Sequence, residues 1–140
     1  YRATPLYSKY YELYDRCVYS GDLGWKDEEG FLYFVGRTDR MIKSKGFRIA
    51  PEEIEKAVTT HTSYGLCYAL GEKHPVHGQI VVIIVESDET PELKRIQQDL
   101  RPHISGFMVP DKVMQVSKMP LNSNGKVDGK ALRNLLELSL

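Results

Sequence analysis

The sequence predicts an α+β domain: a small sandwich of a roughly three-stranded sheet with helices packed on it, preceded by a two-stranded hairpin. Three observations carry this reading. Gln79 to Glu86 holds an unbroken β-branched run, Ile80-Val81-Val82-Ile83-Ile84-Val85, which implies a strand buried on both faces. Helical spacing of apolar residues occurs on both sides of it, at Ile54, Ala57 and Val58 and at Leu93, Ile96 and Leu100. Short alternating runs bounded by glycine and proline fill most of the remainder. A chain of 140 residues suits one domain, or one domain with an appended segment.

Residues 1–18 are rich in tyrosine and poor in aliphatics; six tyrosines fall in the first 19 positions. They read as an extended or partly helical segment that packs against something outside this chain. Val18-Tyr19-Ser20 leads into Gly21-Asp22, so Asp22 is expected just after a first strand. From Trp25 to Val35 the pattern is strand, acidic glycine-containing turn, strand, with Arg37 at the end. Met41-Ile42 and Phe47-Arg48-Ile49 flank Gly46 as a tight hairpin whose turn allows close approach to the backbone.

A helix follows. Pro51 fits its first position, and Glu52, Glu53 and Glu55 suit the positive end of the macrodipole. Tyr64 to Gly71 reads as a strand, Glu72 to Gly78 as a polar loop and Gln79 to Glu86 as the central strand. Thr90 is placed as the cap of a second helix that starts at Pro91, buries Leu93, Ile96 and Leu100, and ends near Pro102. His103 to Pro110 reads as a loop and Lys112 to Val116 as another strand. Asp128 caps a last helix expected to bury Leu132, Leu135 and Leu136.

Composition narrows the function. The longest apolar run, Ile80 to Val85, falls far short of the roughly 18 residues of a membrane span. Formal net charge is zero, so any anion site must be a local cluster rather than a bulk attraction to nucleic acid. Cys17 and Cys67 lack metal-ligand spacing and read as idle thiols in a reducing compartment. The Tyr-Arg-Ala-Thr-Pro start does not look like a signal peptide, and cytoplasm is the expected location. His74 and His77 are joined by no cysteine or carboxylate that would complete a metal set, so no metal site is assigned.

One stretch stands apart. Arg37, Arg40, Lys43, Lys45 and Arg48 put five cations into twelve residues around Gly46, which points to phosphate or carboxylate recognition. The alternative is an ordinary hairpin with a solvated basic face. A second candidate is Asn122-Ser123-Asn124-Gly125-Lys126, a polar turn that presents a lysine just before a helix. It is not a P-loop: Val127 follows the lysine, and no glycine precedes at the required spacing.

Gly36 to Glu55 fills every fixed place of the pattern G-R-x-D-x-x-I-K-x-x-G-x-R-I-x-P-x-E-I-E. It resembles the hinge-and-loop motif of adenylate-forming enzymes: acyl-CoA synthetases, peptide-synthetase adenylation domains and luciferases. Tyr19-Ser20-Gly21-Asp22-Leu23-Gly24 upstream and Pro120 to Asp128 downstream match two further motifs in the family's order. The resemblance implies that 1–38 is the tail end of a large N-terminal adenylation domain, otherwise absent here, and that 39–140 is the mobile C-terminal domain.

It also implies roles. Asp22 would hold the ribose hydroxyls of ATP, accepting from both, and Arg37 would contact the nucleotide. Asp39 would be the hinge, with a salt bridge to Arg37 or Arg40 as the ordinary alternative. Lys126 would be the catalytic lysine at the carboxylate and α-phosphate. Gly46 would line the pantetheine channel, with Lys43 and Arg48 near phosphates. Implied cofactors are ATP, Mg and CoA or phosphopantetheine; implied partners are the N-terminal domain, a carboxylic acid, and CoA or a carrier protein. The acyl-CoA ligases are the nearest likeness, with carrier-protein loading as the alternative acceptor. A free-standing phosphate- or RNA-binding module is the reading from another class. Zero net charge and the lack of an aromatic stacking motif count against RNA.

Overall fold

A computed structural model describes residues 4–5 and 21–137. Apart from Thr4–Pro5, the tyrosine-rich segment lies outside the described residues, as do Cys17 and the expected strand at 18–20. The chain divides into two compact units, 1–41 and 42–140, a boundary three residues beyond the 38/39 junction expected from the sequence.

The first unit is a three-stranded antiparallel sheet of β1 (Thr4–Pro5), β2 (Asp22–Lys26) and β3 (Leu32–Arg37) in that spatial order. Asp22 opens β2, and it pairs across the ladder with Arg37, the last residue of β3. The intervening turn is tied by Asp27, whose carboxylate accepts from the Phe31 amide at 2.8 Å and the Tyr33 hydroxyl at 2.9 Å. Tyr33 stacks on its cross-strand neighbour Trp25 with ring centroids 4.3 Å apart.

The second unit is built on β7 (Gly78–Glu86). Val81 to Val85 are all at most 2% exposed, as a strand covered on both faces requires. The α+β reading holds, with a sheet wider than three strands. On one side of β7, β6 (Cys67–His74) runs antiparallel. On the other, β4 (Ile42–Ser44) joins parallel at Ser44 and β8 (Lys112–Val116) runs parallel along Val82 to Glu86. β5 (Phe47–Ile49) completes the edge as the antiparallel partner of β4. The hairpin was legible as a local unit, but its docking onto β7, where Ser44 pairs with Gln79, is a long-range contact that no local pattern encodes.

β6 also runs longer than expected. The polar 72–74 stretch continues the ladder to His74, because each of its residues has a partner on β7. His74 then closes the turn: its Nδ1 accepts from the Val76 and His77 amides. That is a turn role for His74.

Helices cover both faces. α1 (Pro51–His61) and α2 (Leu93–Leu100) lie on the face lined by Val81, Ile83 and Val85, where Ile54, Val58, Ile96 and Leu100 are fully buried. α3 (Gly129–Glu137) covers the opposite face with Leu132 against Tyr68, Val82 and Ile84. Pro51 takes the first position of α1, and Glu55 of that helix accepts from the Ala69 amide of β6 at 2.9 Å. α2 starts at Leu93, not Pro91, and Thr90 makes no capping bond; Glu92 holds the cap position through its backbone. Asp128 does cap α3, with its Oδ1 accepting from the Lys130 and Ala131 amides. Cys67 is buried, and burial pushes its thiol well above the ordinary range, so it is an inert core residue.

α3 buries less than its periodicity implies. Leu132 is wholly buried but Leu135 is 47% exposed, and the Leu136 side chain lies outside the description. Chemical denaturation of the purified chain checks this. Leu132→Ala should cost about 2–5 kcal/mol, and Leu135→Ala less than about 1 kcal/mol. Equal losses would mean that the helix buries both.

Candidate functional site

The β4–β5 turn is made by Lys45 and Gly46, with φ of 52° and 82°. Two successive positive φ values are the signature of a type I′ turn, whose twist matches the flanking strands. Gly46 accepts this geometry freely, and a Cβ built there would meet nothing within 4 Å. Its backbone therefore faces open space. Lys45 holds a left-handed conformation that costs a lysine some free energy.

The five clustered cations do not act as one patch. Arg37 donates from Nη1 to Asp22 Oδ1 at 3.2 Å and from Nε to Asp39 Oδ1 at 3.0 Å, within the first unit. Lys45 Nζ pairs with Asp111 Oδ1 at 2.8 Å. Arg40 is engaged as well. Lys43 and Arg48 remain exposed, with no ion-pair partner among the described residues. They are direct cross-strand partners, so both project from the same face of the hairpin. Like charges placed directly opposite are destabilising unless an anion sits between or beside them.

Asp22 and Arg37, both expected at the nucleotide, are thus in contact with each other. Asp39 adopts the ion pair with Arg37 that was its ordinary alternative. The Arg37 guanidinium holds the Asp39 carboxyl below the ordinary carboxylate range, so the pair persists at neutral pH and is lost as pH falls through that lowered value.

The Lys126 loop is a tight turn. Asn122 Oδ1 accepts from the Asn124 amide at 2.9 Å and the Lys126 amide at 3.1 Å. The Asn122 amide donates to the Lys126 carbonyl at 2.7 Å, Gly125 turns with φ 75°, and Leu121 bridges Val127. The loop presents an exposed Lys126 with no ion-pair partner among the described residues.

The two candidate loops are anchored at opposite ends of β7. The Gly46 turn is tied to its start, through the Lys45 amide donating to His77 O and the Lys43 amide donating to Gln79 Oε1 at 2.6 Å. The chain leading to Lys126 is tied to its end, through the Met119 amide donating to Glu86 Oε2 at 2.7 Å. Gln79 to Glu86 spans roughly 23 Å at strand rise. The structure therefore separates Lys126 from Gly46, Lys43 and Arg48 rather than gathering them.

Sequence reasoning missed Asp111 and Gln79. Each is a lone polar residue whose partner lies at least 30 positions away, so no spacing rule could have flagged it.

Residues 53–126, more than half of the chain, match the family described as "AMP-binding enzyme C-terminal domain". The human mitochondrial acyl-coenzyme A synthetase ACSM1 is 32% identical over 121 residues, covering 81% of this chain and 21% of that protein. Acetyl-coenzyme A synthetase of Brucella canis is 30% identical over 135 residues, covering 91% and 21%. Among solved structures, ATP-bound MatB from Rhodopseudomonas palustris superposes with a TM-score of 0.74 at 28% identity, over 85% of this chain and 24% of that one. The o-succinylbenzoate CoA synthetase of Bacillus subtilis, in complex with its acyl-adenylate intermediate, gives 0.74 at 25% identity over 86% and 24%. The chain spans about a fifth of the length of the curated relatives it matches. Sequence motifs, fold and relatives agree, and the chain belongs to the AMP-binding enzyme C-terminal domain family.

Proposed function

We propose that this chain is the C-terminal part of an ATP-dependent acid–thiol ligase, with 1–38 the end of its large N-terminal domain and 39–140 the mobile domain. The reaction is acid plus ATP to acyl-adenylate and pyrophosphate, then acyl transfer to the thiol of CoA or a carrier-bound phosphopantetheine. The observation that carries this is the anchoring of two distinct loops, one with an unpaired lysine and one with a bare glycine backbone, at opposite ends of one strand. A domain that must serve two successive reactions at one active site needs two faces.

Each face suits its step. In adenylation, a carboxylate attacks the α-phosphate, and negative charge builds on the phosphate oxygens. Lys126, presented on a stiff turn, supplies a cation where that charge develops and favours the transition state over the ground state. Asp22 and Arg37, in contact with each other in the first unit, hold the nucleotide, the Asp22 carboxylate accepting from the ribose hydroxyls. Mg enters with ATP, on the phosphates. In thiol transfer the domain turns at Asp39, and the Gly46 backbone borders the thin arm of the acceptor. Lys43 and Arg48, facing the same way, take phosphate charge and relieve their own repulsion.

The whole enzyme tests this by half-reaction. Lys126→Ala should depress ATP–pyrophosphate exchange by on the order of 100- to 1,000-fold and leave thioester formation from supplied acyl-adenylate nearly intact. Gly46→Leu should spare exchange and block thiol transfer. The reverse pattern would refute the assignment of faces. Asp39→Pro fixes φ at the pivot and should separate the two half-reactions; small, equal losses in both would show that Asp39 is not the hinge. The 140-residue chain alone should catalyse no exchange, and measurable exchange from it would contradict its reading as part of an enzyme.

A further inference from the structure

The Gly46 turn is fixed in place by contacts that none of the roles above accounts for. Lys45 Nζ meets Asp111 Oδ1 at 2.8 Å across 66 positions of sequence. Asp111 is itself immobilised: its Oδ2 accepts from the Val81 amide at 3.0 Å, and its own amide donates to the Val81 carbonyl at 2.8 Å. Val81 is fully buried in the central strand, so the acceptor end of this ion pair is part of the rigid core. On the other side of the turn, the Gln79 amide group lies against Gly71, where a Cβ would approach within 2.7 Å, and from there accepts the Lys43 amide. Phe47, next to Gly46, stacks on Phe107 at 4.1 Å.

We propose that Lys45 and Asp111 are positioning residues for thiol transfer, their ion pair holding the Lys45-Gly46 turn against the head of β8 so that the glycine backbone keeps a fixed place along the acceptor channel. This rests on the reading that Gly46 borders that channel. It explains why a lysine occupies a left-handed position where glycine or asparagine would be less strained. It also explains why one of the five clustered cations is neutralised within the domain instead of being offered to phosphate. The pair is partly exposed, with side chains 33% and 29% accessible, so it adds little to global stability. Its effect is on where the turn sits. A channel wall displaced by an ångström misaligns the incoming sulfur, and such misplacement costs rate steeply.

The test uses the full-length enzyme with CoA as acceptor and whichever of acetyl-, butyryl- and benzoyl-adenylate the wild type turns over fastest. Lys45→Gly relieves the positive φ while removing the amine. Asp111→Asn removes the charge but keeps an oxygen for the Val81 amide. Each should slow single-turnover thioester formation about 10- to 100-fold, leave ATP–pyrophosphate exchange with the matching acid within about twofold, and leave the melting temperature unchanged. Lys45→Arg, which retains the cation, should restore most of the transfer rate. Gly46→Leu serves as the control for the channel itself. If Gly46→Leu blocks transfer while Lys45→Gly and Asp111→Asn transfer at the wild-type rate, the channel stands and the brace is wrong. If Gly46→Leu also transfers normally, the channel reading fails and takes the brace with it. Parallel loss of exchange and transfer in Lys45→Gly and Asp111→Asn would equally overturn the proposal, since positioning of the turn serves only the second step.

Discussion

The larger unit depends on the burial of one strand. β7 is covered on both faces, by α1 and α2 on one side and α3 on the other, and paired along both edges. Its five central residues contribute a continuous apolar slab, and each fully buried aliphatic among them is worth on the order of 1.5–3 kcal/mol. With that strand fixed, the two candidate loops of this unit are placed relative to it. Gln79 near its start holds β4, and Glu86 at its end holds the segment after β8. The loops can carry strained or charged residues because the strand beneath them does not yield.

Much of this was legible in the sequence. The β-branched run, Pro51 with its trailing glutamates, the Gly46 turn and the Asp128 cap are local signals, and each appears where its chemistry demands. The failures are equally instructive. Thr90 had the right chemistry for a cap, yet α2 begins at Leu93, three residues further on. Glu72 to His74 look like a loop because they are polar, but polar residues extend a strand when their backbone has a ladder to join. Leu135 follows the helical stripe but lies half exposed; among the described side chains of α3 it is Leu132 that enters the core.

The motif residues were legible in the sequence; how their side chains are engaged was not. Counting cations from Arg37 to Arg48 gives a basic cluster. The structure resolves it into two internally neutralised residues, Arg37 and Lys45, an engaged Arg40, and a facing pair, Lys43 and Arg48. Charge density along a chain says little about charge available to a ligand, because Asp22, Asp39 and Asp111 consume part of it. Only Asp39 among these lay within the motif. Asp22 and Asp111 reach it through β pairing and tertiary contact.

The central claim is that one active site receives the two ends of this domain in turn. It is tested most directly by distance in the full-length enzyme, with one spin label at Ser123 in the Lys126 loop and another on the N-terminal domain. Domain alternation predicts one distance distribution with ATP and the acid, and a clearly longer one with a non-hydrolysable acyl-adenylate analogue and CoA. The same single distribution under both conditions would contradict it.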